Sequence, residues 1–194
     1  MRKASVTRTT RETSISLSID LDGIGKNTVH TGIGFLDHML ELLSRHSLID
    51  LDISLKGDTH VDYHHSVEDL GLALGDALNQ ALGERRGIRR YGFFLLPMDE
   101  SLCQCAIDLG GRPFLRFRTS CTQTFVRDFD VRLFEEFFRA LSVTARMNLH
   151  LEHTDGNEAH HAAESMFKAF AHALRVAVEP DPREHGIPSS KGRI

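Results

Sequence analysis

The stretch "DYHHSVED" at 62–69 returns as "EAHHAAES" at 158–165, each time at the head of a long segment whose apolar residues recur at helical spacing. The order of elements around each copy also repeats. Alternating runs "KASVTRTT" and "TSISLSIDLDG" read as two strands, with a short third strand near 27–30. The period then changes: "GFLDHMLELLSRH" spaces Phe35, Met39, Leu42 and Leu43 as a helix, and "LIDLDISLKGD" returns to strand alternation. A helix over 62–82 follows, carried by Val67, Leu70, Leu74, Leu78 and Leu82 and closed by Gly83. The second half reads as strands near 91–97, 101–109 and 113–119, a helix over 131–146, a strand at "MNLHLEH", and a helix over 158–178 that Pro180 and Pro182 stop.

Each half is therefore β-β-β-α-β-α, and repetition of a whole supersecondary unit points to duplication. The expected fold class is α/β, in the α+β sense: two duplicated halves, each a sheet covered by two helices. The first half-repeat is 1–87 and the second 88–180, together one functional domain. The tail, 181–194, is rich in breakers and polar residues and reads as a loop or mobile arm.

His64 and Glu68 are four apart on one helix, and His160 and Glu164 are four apart on its counterpart, so each pair shares a helical face. One such pair alone is ordinarily a solvated hydrogen-bonding pair. Two at corresponding points of a repeat, each with an adjacent second histidine, point to metal ligation. His65 and His161 lie about 100° further round their helices and so face a different centre from their neighbours. His38, inside an apolar helix where an unbonded imidazole is costly, and His150, between leucines of a strand, are the candidates to complete the sites. The balanced partition gives one centre of His64, Glu68, His150 and His161 and another of His38, His65, His160 and Glu164. Imidazole and carboxylate ligation of this kind suits Mn²⁺, Fe²⁺ or Zn²⁺. His46, at a helix end two turns from His38, could reach the same cleft and is a catalytic candidate. His30, His60, His153, His172 and His185 have no repeated partner and read as surface or satisfied core.

Composition excludes several classes. With 23 basic and 27 acidic residues the net charge is −4. The clustered arginines of "GERRGIRRYG" make no broad positive face, so no nucleic-acid partner is expected. No run reaches membrane-spanning length, and the first residues lack an apolar core with a cleavage site, so a cytoplasmic location and no membrane partner are expected. Cys103, Cys105 and Cys121 are odd in number and lack CxxC spacing, which reads as reduced thiols.

The motifs "RTTRET", "GIGFLDHMLELLSRH", "DYHHSVEDLGLALGDAL", "GIRRYG", "PMDESL", "DLGGRP", "EAHHAAESMFKAFAHAL" and "PSSKG" run nearly end to end. In that order they resemble the imidazoleglycerol-phosphate dehydratase family, in its monofunctional form; Glu158 stands where the family usually carries Asn. The resemblance implies a ribosomal-protein-S5-domain-2-like fold and a homo-oligomer of 24 subunits with active sites between chains. It also implies two Mn²⁺ ions per site and dehydration of D-erythro-imidazoleglycerol phosphate to imidazoleacetol phosphate and water in histidine biosynthesis. The substrate has no carbonyl to acidify its C–H bond. Metal ions on both ring nitrogens would allow an imidazolate to expel hydroxide, which explains why the ligand motif occurs twice. By the same resemblance Glu12 is the acid/base group, alongside the catalytic candidates His46, Glu68 and Glu164. Arg90, Arg112, Ser189, Ser190 and Lys191 are then the phosphate-binding residues. A two-metal hydrolase or a non-catalytic metal-binding cage would fit the bare ligands, but a storage cage does not require Arg90, Arg112 and the "PSSKG" tail.

Overall fold

The structure, a computed structural model, describes residues 2–194. Strand β1 (Lys3–Thr9), β2 (Thr13–Asp20), β3 (Asn27–His30) and β4 (Asp50–Gly57) form a sheet of order β1-β2-β4-β3. Helix α1 (Gly34–Ser47) connects β3 to the parallel β4, and α2 (His64–Leu82) follows. In the second half, β5 (Tyr91–Met98), β6 (Ser101–Asp108), β7 (Phe114–Thr119) and β10 (Asn148–Asp155) form a sheet of order β5-β6-β10-β7. Its helices are α3 (Leu133–Thr144) and α4 (Ala159–Val178). In both sheets the first three strands of the order are antiparallel and the last pairing is parallel, Val29 opposite Ile53 and Leu115 opposite Leu149. The two halves thus share one topology, as the repeated order of elements predicts.

One insertion separates them. Two short strands, β8 (Phe125–Val126) and β9 (Phe129–Asp130), form a hairpin between β7 and α3. Apolar spacing predicts the α3 helix from Val131; the helix instead begins at Leu133. Strands of two residues are too short to show alternation, so periodicity gave no sign of the hairpin. Elsewhere the boundaries follow the sequence signals. Gly83, at φ 53°, closes α2 by donating its N–H to the carbonyls of Asn79 and Gln80.

Period-2 alternation sends Ile15, Leu17 and Ile19 of β2 and Leu51, Ile53 and Leu55 of β4 inward. The helices meet these faces and also one another across the two halves: α2 lies on α3 and on β1 and β2, and α1 lies on α4, which covers β5 and β6. One continuous core results. Its centre is aromatic, with Phe134 and Phe167 rings 4.9 Å apart and Phe138 and Phe170 rings 5.3 Å apart. Cys103 and Cys105 are free and buried in it, and burial pushes the Cys103 thiol up to about 12, so neither ionises at neutral pH.

The α2–α3 contact depends on two glycines in "GLALG". A Cβ at Gly71 would stand 2.5 Å from the Phe137 carbonyl oxygen, and one at Gly75 would stand 2.2 Å from Thr144 Oγ1 and 2.5 Å from the Leu141 carbonyl oxygen. Gly75→Ala should therefore force the helices apart and destabilise the protein by about 1–3 kcal/mol, as overpacking does. A lowered thermal midpoint checks this; an unchanged one would mean that the seam has slack.

Candidate metal and active site

Three helices, α1, α2 and α4, and the strand β10 carry the candidate ligands. Helix α4 is capped by Glu158, whose carboxylate accepts the His160 N–H at 3.1 Å and the His161 N–H at 2.7 Å. Glu158 thus fixes the backbone of both histidines. One turn later His160 Nε2 lies 3.2 Å from Glu164 Oε2. Packing of α1 on α4 then brings in a third ligand: His38 Nε2 lies 3.7 Å from the same oxygen, and the two imidazole rings are 5.5 Å apart. The donor atoms of His38, His160 and Glu164 all fall within 4.8 Å of one another, so these three could hold one cation.

Lys168, one further turn along α4, binds the other Glu164 oxygen at 2.5 Å and leaves Oε2 facing the histidines. Burial pushes the Glu164 carboxyl up, but the Lys168 ammonium, with His38 and His160, outweighs it and holds the group below its ordinary range. It is therefore ionised and ready for a metal. Lys168 is not among the site residues expected from sequence; its i,i+4 spacing from Glu164 is the signal that marks it.

His65 does not join this group within the chain. Its Nδ1 lies 3.0 Å from Asp58 Oδ2 and its Nε2 lies 3.7 Å from Glu12 Oε1. Glu12 is held in the β1–β2 turn by a local network: Thr10 Oγ1 accepts its N–H, and Arg8 and Thr13 both donate to Asp69 of α2. The "RTTRET" motif thereby fastens the turn to the start of α2.

The other expected centre is dispersed within one chain. His64 Nε2 and Glu68 Oε2 are 3.7 Å apart on α2, half exposed. His150 projects from the outer face of β10 beside Phe114, with ring centroids 5.5 Å apart. His161 Nδ1 lies 3.0 Å from Glu100 Oε2 in the β5–β6 turn. Among the described residues, the second close group of possible ligands is Asp99, Glu100 and His161. His46 also turns away from the His38 group: its Nδ1 lies 3.3 Å from His172 Nε2, and His172 stacks on Phe94 at 4.4 Å. His172, read from sequence as surface or satisfied core, is thus the partner of His46 along the α1–α4 seam.

The phosphate candidates gather at one end of the second sheet. Arg90 donates Nε and Nη2 to Asp108 at 2.7 and 3.1 Å, and Nη1 to the Pro188 carbonyl at 2.7 Å. It therefore anchors the tail. The Gly87 N–H also holds the Gly186 carbonyl, so residues 181–194 form a docked loop without helix or strand. Arg112, Ser190 and Lys191 are exposed, and Ser189 is half-buried with its Oγ accepting the Lys191 N–H.

Burial pushes both His46 and His172 down, helped by each one's cationic neighbours, Lys168 and Arg175 among them. The folded state therefore binds fewer protons at these sites than the unfolded chain. Their contribution to stability is present above the unfolded value of 6.5 and is lost as pH falls below it. In metal-free protein, His172→Phe should shrink the fall in melting temperature between about pH 7.5 and about pH 5.5. An undiminished fall would assign the acid sensitivity to other groups.

Comparison with known proteins agrees with the fold. The sequence model of the imidazoleglycerol-phosphate dehydratase family matches residues 31–174. Among curated proteins, the imidazoleglycerol-phosphate dehydratase of Methylorubrum extorquens is 56% identical over 195 residues, covering 100% of both chains. That of Acidiphilium cryptum is 55% identical over 98% of both. Among solved structures, the imidazoleglycerol-phosphate dehydratase of Staphylococcus aureus superposes with a TM-score of 0.84 at 37% identity, covering 92% of this chain and 99% of that one. The Pyrococcus furiosus structure gives 0.84 at 32% identity, over 97% of this chain and 100% of that one. With matching topology and near full-length similarity, the chain belongs to the imidazoleglycerol-phosphate dehydratase family, the lyases that remove water from imidazoleglycerol phosphate in histidine biosynthesis.

Proposed function

We propose that this chain dehydrates D-erythro-imidazoleglycerol phosphate to imidazoleacetol phosphate with two divalent metal ions, Mn²⁺ by preference, held by His38, His64, His65, Glu68, His150, His160, His161 and Glu164. The convergence of His38 from α1 with His160 and Glu164 from α4 carries the reading. Three donors with Lewis-base atoms free, one an ionised carboxylate, fit a cation such as Mn²⁺, Fe²⁺ or Zn²⁺. Metal ions held by these residues would supply Lewis acidity to the substrate ring.

The protein's own groups do the remainder. Glu12 takes the proton from the carbon next to the one losing hydroxide; proton and hydroxide together make the water released, and the enol left behind becomes the ketone. Its place 3.7 Å from His65 Nε2 supports the role. Lys191, Ser189, Ser190 and Arg112 bind the phosphate, and Arg90 contributes charge and anchors the tail through the Pro188 carbonyl. In this reading 1–87 and 88–180 are the two descendants of a duplication and 181–194 is the substrate-binding tail.

The dispersed ligands call for further copies of the chain, and the sheet faces support self-association. The outer face of the first sheet carries Ser14, Ser16, Asp52, Ser54 and Lys56. The equivalent face of the second carries Tyr91, Phe93, Leu95 and Phe114, each more than half exposed at 58, 59, 51 and 53%. An apolar patch of this kind marks an interface. His150 stands on that face, so covering it with another chain also places His150 between subunits, as a 24-subunit assembly with shared sites requires. Among the described residues no helix is long and apolar enough to cross a membrane, and we place the enzyme in the cytoplasm.

His64→Ala and His160→Ala should each remove bound metal and abolish water loss from imidazoleglycerol phosphate. Full metal occupancy in both purified variants would contradict the ligand assignment. Lys191→Ala should raise KM by about 10- to 100-fold through one lost charge-assisted contact and leave kcat nearly unchanged. A steady KM with a collapsed kcat would move Lys191 to the chemical step.

A further inference from the structure

The two turns that face the His-His pairs are counterparts in the repeat, yet their glutamates stand on opposite sides of the imidazole. Glu12 immediately precedes β2 and Glu100 immediately precedes β6, and each is followed by a buried hydroxyl residue, Thr13 or Ser101. Glu12 lies on the Nε2 side of His65, at 3.7 Å. Glu100 lies on the Nδ1 side of His161, at 3.0 and 3.2 Å. In the first half the Nδ1 position is taken by Asp58, at 3.0 Å, from the loop after β4.

We infer that Asp58 and Glu100 are positioning residues: each accepts the Nδ1–H of the second histidine of its pair, fixing the tautomer in which Nε2 presents a lone pair to a cation. By this division Asp58 frees Glu12 for proton transfer, whereas Glu100, the repeat counterpart of Glu12, is a holder and not a second acid/base. The inference rests on reading His65 and His161 as metal ligands.

Three observations support it. First, among the described residues neither carboxylate has any other side-chain partner, so neither is explained as a tie between elements of the fold. Second, Asp58 Oδ1 is buried without a hydrogen-bond partner, one of two such side-chain atoms among the described residues. A buried carboxylate oxygen left unpaired costs stability, and the Oδ2 contact to His65 is what this placement secures. Third, the backbones of both groups are fixed: the Asp58 N–H donates to the Glu12 carbonyl at 3.1 Å, and Glu100 follows Asp99, at φ 49°, in a tight turn. Carboxylates bonded to the far nitrogen of a ligating histidine orient the ring and raise its basicity. The first histidines of the pairs need no such holder, because His64 and His160 direct Nε2 at the glutamates of their own helices.

The test uses full-length protein stripped of metal and titrated with Mn²⁺ alone, free Mn²⁺ being read by electron paramagnetic resonance, with melting of each metal-free variant measured in parallel. Asp58→Asn and Glu100→Gln, which keep an oxygen acceptor, should weaken Mn²⁺ binding about 10-fold, and the alanine variants about 100-fold, without loss of metal-free melting temperature. His65→Ala and His161→Ala are the reference variants. If these two lose Mn²⁺ while Asp58→Ala and Glu100→Ala bind it at full affinity, the positioning role is overturned and the ligand reading stands. If His65→Ala and His161→Ala keep full affinity, the ligand reading fails and takes this inference with it. A Glu100→Gln protein that loses one whole equivalent of Mn²⁺ would make Glu100 a direct ligand and overturn the proposal. Should the alanine variants fail to fold, the Asn and Gln variants decide the same question.

Discussion

The seam between α1 of the first half and α4 of the second is the contact on which the site depends. Neither helix alone carries more than a His-Glu pair at helical spacing, an arrangement worth little at an exposed surface. Laid together, they bring His38 to His160 and Glu164 and leave one carboxylate oxygen aimed at two imidazoles. The seam holds because both helices are amphipathic toward one core. Leu36, Met39, Leu40 and Leu43 of α1 are buried in the same cluster as Met166, Phe167, Phe170 and Leu174 of α4. Apolar burial thus positions polar chemistry that would not assemble by its own attraction.

Charge then sets the protonation habit of each titratable group around the site. Glu164 is shared between Lys168 on one oxygen and the histidines on the other, which keeps it ionised in a half-apolar setting. His65 and His161 are pushed up by their hydrogen bonds to Asp58 and Glu100, which is the electrostatic face of the same contacts that orient the rings. His46 and His172 are pushed down by burial and remain a neutral pair. Histidines of one short chain thus take different protonation habits from their surroundings, not from their spacing.

Much of this was legible before any coordinates. The β-β-β-α-β-α order of each half was legible, because hydrophobic period 2 or 3.6 is a local property of the chain. The His64–Glu68 and His160–Glu164 pairs were legible for the same reason. What could not be read was pairing across elements. Asp58 and Glu100 sit in loops with no period, the β8–β9 hairpin is shorter than any pattern, and His172 had no repeated mate to mark it. His46 illustrates the limit: its two-turn offset from His38 placed it on the correct helix face, but only the packing of α4 showed that it meets His172 and not the His38 cluster.

The sequence by itself determined the halves, the elements within each and the histidine-carboxylate pairs carried on single helices, since all of these follow from spacing along one chain. Tertiary structure decided which histidines meet, which carboxylate faces which ring nitrogen, and that Arg90 spends its guanidinium on Asp108 and the tail. The physical reason is range. A hydrogen bond or a metal bond acts over about 2–4 Å, and bringing residues far apart in sequence within that distance requires the buried apolar faces of four helices and two sheets to settle together.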